Sequence, residues 1–568
     1  MELIDIRNND GSITGKVKAR AQVHTDGDLH ATSHVWIVRA NKKGSFDILL
    51  QKRSSNKDAY PDCYDISSAG HIPAGQDYLT SAIREIKEEL GLNVDRTELK
   101  FIGMHDGEVK TSFYGKPFHN HELSAVYLYH KELDPRKMKL QKEEVQSVKW
   151  MDFEECLTQV RKGSKEFCLF EDDELMMLKE AAPLYLKNVT KKKCAHCTNC
   201  GGCQLQGVDY QQQLKQKLGE LKHLFKGIGT VSDIYGMKDP YNYRNKVHAV
   251  IGEDRNHNVI SGTYKSNSHF IVPVDYCMLE DVKADLIMQS LRKLFRDFKV
   301  RPYNEDKRTG NIRHVLIRRG FLTNQIMVVL VTADKIFPSK NNFVKALLKT
   351  HPDITTIVQN INPKSTSMVL GDKEQIWHGK GYIEDVLCGK RFRISPRSFY
   401  QINSLQTEKL YETAIELAEL KGKETVIDAY CGIGTIGITA AQKAGRVIGV
   451  ELNQDAVKDA AQNAKLNHIK NASFYQGDAG RFMENMKQSA DVVFMDPPRS
   501  GSTKEFINSV ARIRAKKVVY ISCDPTTQVR DIRMFHQKGY EVKKCVGVDM
   551  FPFTEHCESV CLLVRKNK

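Results

Sequence analysis

Thr425-Val426-Ile427-Asp428 runs into Ala429-Tyr430-Cys431-Gly432-Ile433-Gly434-Thr435-Ile436-Gly437, and this stretch decides how the C-terminal third is read. The apolar run reads as a buried strand. The glycines after it permit a tight turn and close backbone approach to a nucleotide ligand, with a helix expected from Thr435. The pattern then repeats outward. Arg446-Val447-Ile448-Gly449-Val450-Glu451 is the next strand, followed by a helix from Gln454 to about Leu466, and 491–496 and 518–523 are further strands with helices between. Such alternation predicts an α/β domain with a mostly parallel, doubly wound sheet. The end of the chain lacks a helical pattern and reads as an antiparallel hairpin.

A chain of 568 residues holds about three or four domains at roughly 150 residues each. The expected divisions are 1–182, 190–285, 286–395 and 396–568. Acidic Glu171-Asp172-Asp173-Glu174 and basic Lys191-Lys192-Lys193 bracket Ala182-Pro183 and mark a boundary near 185. Ile312-Arg313-His314-Val315-Leu316-Ile317-Arg318-Arg319 and 325–331 read as paired strands around Gly320. No apolar run reaches the length of a membrane span, and the start lacks a secretory signal. A soluble, cytoplasmic, monomeric protein is expected. Net charge is +15, but residues 1–185 are net acidic, so the positive excess lies in the remainder and points to a polyanionic partner. Arg313, Arg318 and Arg319 are expected to contribute to that binding. Fourteen cysteines in a large chain of this kind read as metal-binding or catalytic rather than as a disulfide framework.

Asp428-x-x-Cys431 before the glycines is not part of the usual dinucleotide fingerprint and moves the reading toward S-adenosylmethionine. Glu451, ending the second strand, is placed to accept from ribose hydroxyls, and Asp478, ending the third, to bind the adenine amino group. Asp496-Pro497-Pro498-Arg499 lacks the aromatic residue that amino-group methylation would call for. Downstream lie Ile521-Ser522-Cys523-Asp524-Pro525 and His556-Cys557-Glu558. A thiol at the carboxyl end of a strand, with a carboxylate facing it, suits methylation of an unreactive pyrimidine carbon. The thiol adds to the ring and the base later removes a proton.

Together with Cys194-x5-Cys200-Gly201-Gly202-Cys203-Gln204, Tyr243-Arg244-Asn245-Lys246 and Ser398-Phe399-Tyr400-Gln401-Ile402-Asn403, these motifs make residues from about 190 onward resemble the RNA uracil-5-methyltransferases, in particular the iron–sulfur-containing 23S rRNA branch. The resemblance implies a Rossmann-like methyltransferase domain, a central α+β iron–sulfur and RNA-binding region, Cys523 as nucleophile and Glu558 as general base. It also implies that Gln401, Tyr430, Glu451 and Asp496 contact S-adenosylmethionine, and that Phe399 stacks on the target base. A tRNA substrate is the alternative; so is an RNA-binding assembly factor with inactive sites.

Cys194, Cys197, Cys200 and Cys203 crowd four thiols into ten residues, which calls for a metal to offset their repulsion. The compact spacing is closer to cubane-cluster loops than to a zinc ribbon. The family pattern implies a [4Fe-4S] cluster on Cys194, Cys200, Cys203 and Cys277, leaving Cys197 as an extra thiol. The family's usual N-terminal β-barrel module has no room between Pro183 and Cys194.

At the front, Gly70-x5-Gln76-x7-Arg84-Glu85-Ile86-Lys87-Glu88-Glu89-Leu90-Gly91 resembles the Nudix box, with glutamine in place of its first glutamate. Glu85, Glu88 and Glu89 fall on one helical face, suited to Mg²⁺ and a diphosphate-containing small molecule. An N-terminal α/β/α Nudix fold is implied. The segment Leu29-His30-Ala31-Thr32-Ser33-His34-Val35-Trp36 also looks like the isopentenyl-diphosphate isomerase branch. That branch's cysteine is missing from Ala69-Gly70-His71, so hydrolysis is the expected chemistry.

Overall fold

The computed structural model describes the chain apart from residues 1, 9–10, 58, 114–115, 169–170, 191–193, 266–267, 365–367, 487–488 and 567–568, and apart from the side chains of 113, 116–117 and 188–190. The basic run Lys191-Lys192-Lys193 thus lies outside the described residues. The chain forms two compact units, Met1–Cys194 with Lys246–Gly379, and Ala195–Asn245 with Lys380–Lys568.

The second unit is built on an eight-stranded sheet in the order Val231–Tyr235, Tyr540–Val548, Glu558–Arg565, Lys517–Ser522, Val492–Met495, Thr425–Ala429, Arg446–Glu451, Ala472–Gln476. Glu558–Arg565 is antiparallel to both neighbours; the other pairs are parallel. This is the doubly wound arrangement expected, closed by the expected terminal hairpin. The helix Gln454–Leu466 stands where the pattern puts it, its first turn capped by Asn453. From Thr425–Ala429 the chain winds outward to Ala472–Gln476 and returns to Val492–Met495 on the other side. The crevice at this switch point opens at the carboxyl ends of the strands, where ligands bind in such sheets. Asp428, Glu451, Asp496 and Cys523 all sit at that edge. The buried core joins Ile427, Val493, Val518 and Tyr520 of the sheet to Leu221 and Phe225 of the preceding segment. In the terminal hairpin Cys545 lies directly opposite Cys561 and is bridged to it, a pairing the sequence reading does not anticipate.

In the first unit, Leu29–Ala40 pairs in parallel with Lys116–His130 and antiparallel with Phe46–Arg53 and Ser68–His71 in a nine-stranded sheet. The helix Tyr78–Leu90 packs beside it; Asp77 caps its first turn and Gly91 ends it in a left-handed conformation. A second, seven-stranded sheet runs from Lys246 to His378, mostly antiparallel, with Ile312–Arg319 and Ile326–Thr332 paired around Gly320 as expected. No helix among the described residues is long and apolar enough to cross a membrane.

Two expectations need correcting. The boundary near 185 falls inside the helix Asp172–Thr190, which continues through Pro183; the expected break at 285–286 likewise falls inside Val282–Asp297. The acidic run is no linker, because Asp172, Asp173 and Glu174 form the first turn of that helix, where the helix dipole favours carboxylates. Leu178, Ala181 and Ala182 share one buried cluster with Trp36 and Val126 of the N-terminal sheet and with Val282 and Leu286. The buried Lys283–Asp353 pair at 2.9 Å, whose carboxylate also accepts from the Met104 amide at 3.3 Å, reinforces the same seam.

The second correction concerns Arg313, Arg318 and Arg319, all buried. Arg313 donates to Glu305 at 2.7 Å and to the carbonyls of Asn362 and Lys364 at 2.8 Å. Arg319 pairs with buried Asp281 at 2.7 Å. Every residue of this strand is buried, so Arg313 and Arg319 are spent inside the fold and none of the three presents a surface to RNA.

Candidate active sites

The donor crevice is assembled by backbone geometry around buried acids. Asp428 is fully enclosed, and its Oδ2 accepts the Gly437 amide at 2.8 Å; burial pushes its carboxyl up to about 7. Tyr430 adopts a left-handed φ of 64°, rare for a bulky residue and common at functional turns. Its ring packs on Phe506 at 5.3 Å and its hydroxyl meets Ser502 at 3.3 Å. Glu451 accepts from the amides of Gly432 at 3.2 Å and Asn453 at 2.9 Å, so the acid holds the turn as well as facing the crevice. Asp478 caps the helix Ala479–Glu484 through the Arg481 amide. Gln401 is buried, its carbonyl accepting from Asn245 Nδ2 at 3.0 Å. Phe399 is 69% exposed, its ring open to solvent. Asp496 follows the fourth strand, and loss of water raises its carboxyl to about 7.

Cys523 and Glu558 converge through strand register. Ser522 pairs with Ser559 across antiparallel strands, so the next residue on one strand and the preceding one on the other emerge together at the crevice. Glu558 is 2% exposed, and its Oε2 has no hydrogen-bond partner among the described residues. Burial, then the nearby Asp496, drives its carboxyl well above the usual range. The Cys523 thiol is half-buried; burial and the charges of Glu558 and Asp496 raise it, while Arg499 opposes them. Asp524 caps the helix Pro525–Gln537 that starts at once after Cys523, and a helix N-terminus favours a thiolate. Cys523 opens onto a cavity shared with Arg499, His556 and Lys217.

A network missed in the sequence fixes the loop after Asp496. Asp531 Oδ2 accepts the Ser502 amide and the Tyr520 hydroxyl, each at 2.7 Å, and Thr527 donates to the Arg499 carbonyl at 3.1 Å. The period of the helix carrying Thr527 and Asp531, four residues apart, was the signal available.

In the cysteine segment, the Cys200 amide donates to the His196 carbonyl at 2.9 Å. Cys277 Sγ accepts the Leu279 amide at 3.5 Å. An amide aimed at sulfur stabilises a thiolate, so the residues present fit a cluster ligand at Cys277. Cys194, Cys197, Cys200 and Cys203 are all half-buried.

On the N-terminal helix, Arg84 bridges Glu85 at 2.7 Å and Glu88 at 2.9 Å. Glu89 is buried and accepts from Ser68 at 2.6 Å; burial, with Glu85 nearby, raises its carboxyl to about 8. Gly70 lies against this group, where a Cβ would come within 2.5 Å of Glu85 Oε1. Gln76 accepts from the Ser81 hydroxyl at 3.2 Å, a bond internal to the start of the helix. The sheet, with the helix Arg20–Asp26, gathers His30, His71 and His24, whose ring nitrogens lie within 4.8 Å of one another. Burial lowers all three imidazoles, and neutral imidazoles can hold a divalent cation.

A family model for the tRNA (uracil-5-)-methyltransferases matches residues 209–566. The chain belongs to that family. A NUDIX-domain model matches residues 30–168. Similar proteins include an uncharacterized RNA methyltransferase of Halalkalibacterium halodurans, 42% identical over 66% of this chain and 83% of its own length, and one of Bacillus cereus, 38% identical over 73% and 90%. Among solved structures, the tRNA (uracil-54, C5)-methyltransferase of Pyrococcus abyssi, in complex with S-adenosyl-L-homocysteine, aligns with a TM-score of 0.55 at 28% identity, covering 64% of this chain and 86% of that one. The chain is thus an S-adenosylmethionine-dependent RNA uracil-5-methyltransferase that carries a NUDIX domain.

Proposed function

We propose that this methyltransferase acts on a uridine of 23S rRNA through a covalent adduct at Cys523, with Glu558 as the base. One observation carries the reading most: a buried carboxyl with an oxygen left unpartnered, beside a half-buried thiol at a helix N-terminus. S-adenosylmethionine supplies an electrophilic methyl when bound. Cys523 Sγ adds to C6 of the flipped uracil, exposed Phe399 stacking against the base, and the electron pair of the C5=C6 bond moves toward C5. After C5 is methylated, Glu558 takes the C5 proton, the double bond re-forms and the thiolate leaves. Gln401, Tyr430, Glu451, Asp478 and Asp496 line the donor side and orient it. A [4Fe-4S] group on Cys194, Cys200, Cys203 and Cys277 supplies a structural or RNA-positioning role, because methyl transfer needs no electron.

The test uses purified full-length protein with 23S rRNA and tRNA transcripts. Formation of 5-methyluridine in rRNA, lost in Cys523→Ala, supports the reading. Methylation of tRNA alone moves it to the second reading, favoured by the tRNA substrate named for the Pyrococcus abyssi enzyme. For the NUDIX domain we propose Mg²⁺-dependent hydrolysis of a diphosphate-linked small molecule, with Glu85, Glu88 and Glu89 holding the metal.

A further inference from the structure

Glu558 is delivered to the crevice by a connection, 549–557, that has no helix or strand of its own. Its backbone is held from outside. The helix Tyr210–Leu224 turns one face to it with Tyr210, Gln213 and Lys217, spaced three and four apart. Lys217 and Asp549 form a fully buried pair at 2.7 Å, their side chains 1% and 0% exposed, and the same ammonium donates to the Phe551 carbonyl at 3.2 Å. Tyr210 donates to the other Asp549 oxygen at 2.9 Å while accepting the Met237 amide at 3.0 Å. The Gln213 carbonyl oxygen accepts the Phe553 amide at 3.0 Å, and the Leu205 amide donates to the Phe553 carbonyl at 3.0 Å. From the other side, Gln406 donates to the Asp549 carbonyl at 3.0 Å and Asn403 to that of Met550 at 3.1 Å.

We infer that the Tyr210–Asp549–Lys217 triad is a positioning device that sets the Glu558 carboxylate for C5 proton removal, and so governs product release rather than methyl transfer. This rests on the reading of Cys523 and Glu558 given above. Lys217 and Tyr210 both donate into the connection through Asp549, and none of the three contributes the reacting atoms. A buried ammonium is costly unless paired; here it ties one backbone carbonyl, that of Phe551, and one carboxylate, that of Asp549, into a fixed curve just ahead of the base. Cys523 follows a different strand, Lys517–Ser522, and is set by its own helix cap, so the tether positions the base and not the nucleophile. Loss of the tether therefore slows the last step selectively. Misplacement of a reacting group by about 1 Å costs on the order of 10²-fold.

The experiment follows full-length protein with ordinary uridine-containing substrate RNA and methyl-labelled donor, scoring methylated RNA, denaturant-resistant protein–RNA adduct, and kcat and KM separately. Glu558→Gln, which removes the base, is the reference and accumulates methylated adduct. Lys217→Met and the milder Tyr210→Phe are expected to do the same in part, with kcat reduced and KM for RNA unchanged. If Lys217→Met does not fold by circular dichroism, Tyr210→Phe decides alone. Wild-type turnover in the folded variants, or methyl transfer and release falling together without adduct, overturns the positioning role. Failure of Glu558→Gln to accumulate adduct overturns the reading of the site itself, and this inference with it.

Discussion

Gly437 and Asp428 are joined by a 2.8 Å amide-to-carboxylate hydrogen bond, and a Cβ at 437 would come within 2.8 Å of that same oxygen. The glycine is thus required by contact, not by its torsion angle. Gly437→Ala is expected to displace Asp428, lower donor affinity and cost about 1–3 kcal/mol of stability, the range for overpacking. Calorimetric titration with S-adenosylhomocysteine and thermal denaturation check this; an alanine variant with unchanged affinity would show that the turn has slack.

The thiol of Cys523 lies above its ordinary value, so its reactive thiolate fraction grows as pH rises. Single-turnover adduct formation should climb with pH and keep climbing beyond the ordinary thiol value of about 8.5. Because the Glu558 charge is one cause of the elevation, Glu558→Gln should move the profile of the adduct step to lower pH. A shift to higher pH would contradict the electrostatics.

Arg319 is held by Asp281 and Asn324 and lies over Phe101 at 5.0 Å. Arg319→Met leaves Asp281 buried without its partner and should cost about 3–5 kcal/mol. RNA affinity measured against salt should keep its slope, because the arginine neutralises no phosphate. A slope reduced by about one would return Arg319 to the RNA surface.

Glu88 is the exposed member of the carboxylate face, 51% accessible, and its replacement need not disturb packing. In the full-length chain, Glu88→Gln should abolish Mg²⁺-dependent cleavage of nucleoside-diphosphate-linked compounds and leave 5-methyluridine formation intact. If the unaltered protein cleaves none of a broad panel, the face binds without hydrolysing.

The doubly wound sheet was legible because its signal is local, whereas the approach of Glu558 to Cys523 depends on the pairing of Ser522 with Ser559 and was expected only from the motifs and the family resemblance. A strand announces itself by its apolar run, and a residue at its end is placed by the fold's geometry. Lys217 and Asp549 were not legible. They lie 332 positions apart, and a lysine in a polar helix gives no sign that it is buried. Arg313 and Arg319 were misread for the opposite reason: net charge counts them without knowing that Glu305 and Asp281 neutralise them inside the sheet. His30 and His71 come together because Thr32 pairs with His71 across antiparallel strands, and His24 joins them from the helix Arg20–Asp26. Register of that kind is set by tertiary pairing rather than by neighbouring residues.

Val282 and Leu286 complete the same apolar cluster as Trp36 and Leu178, which makes the NUDIX sequence and the segment after Lys246 co-dependent halves of one folding unit. That unit is interrupted in the chain by 195–245, which belongs elsewhere. Scissors applied anywhere between them would leave oily faces on both fragments. The NUDIX sequence is therefore packed as part of the unit it shares with residues 246–379, not as a free-standing appendage.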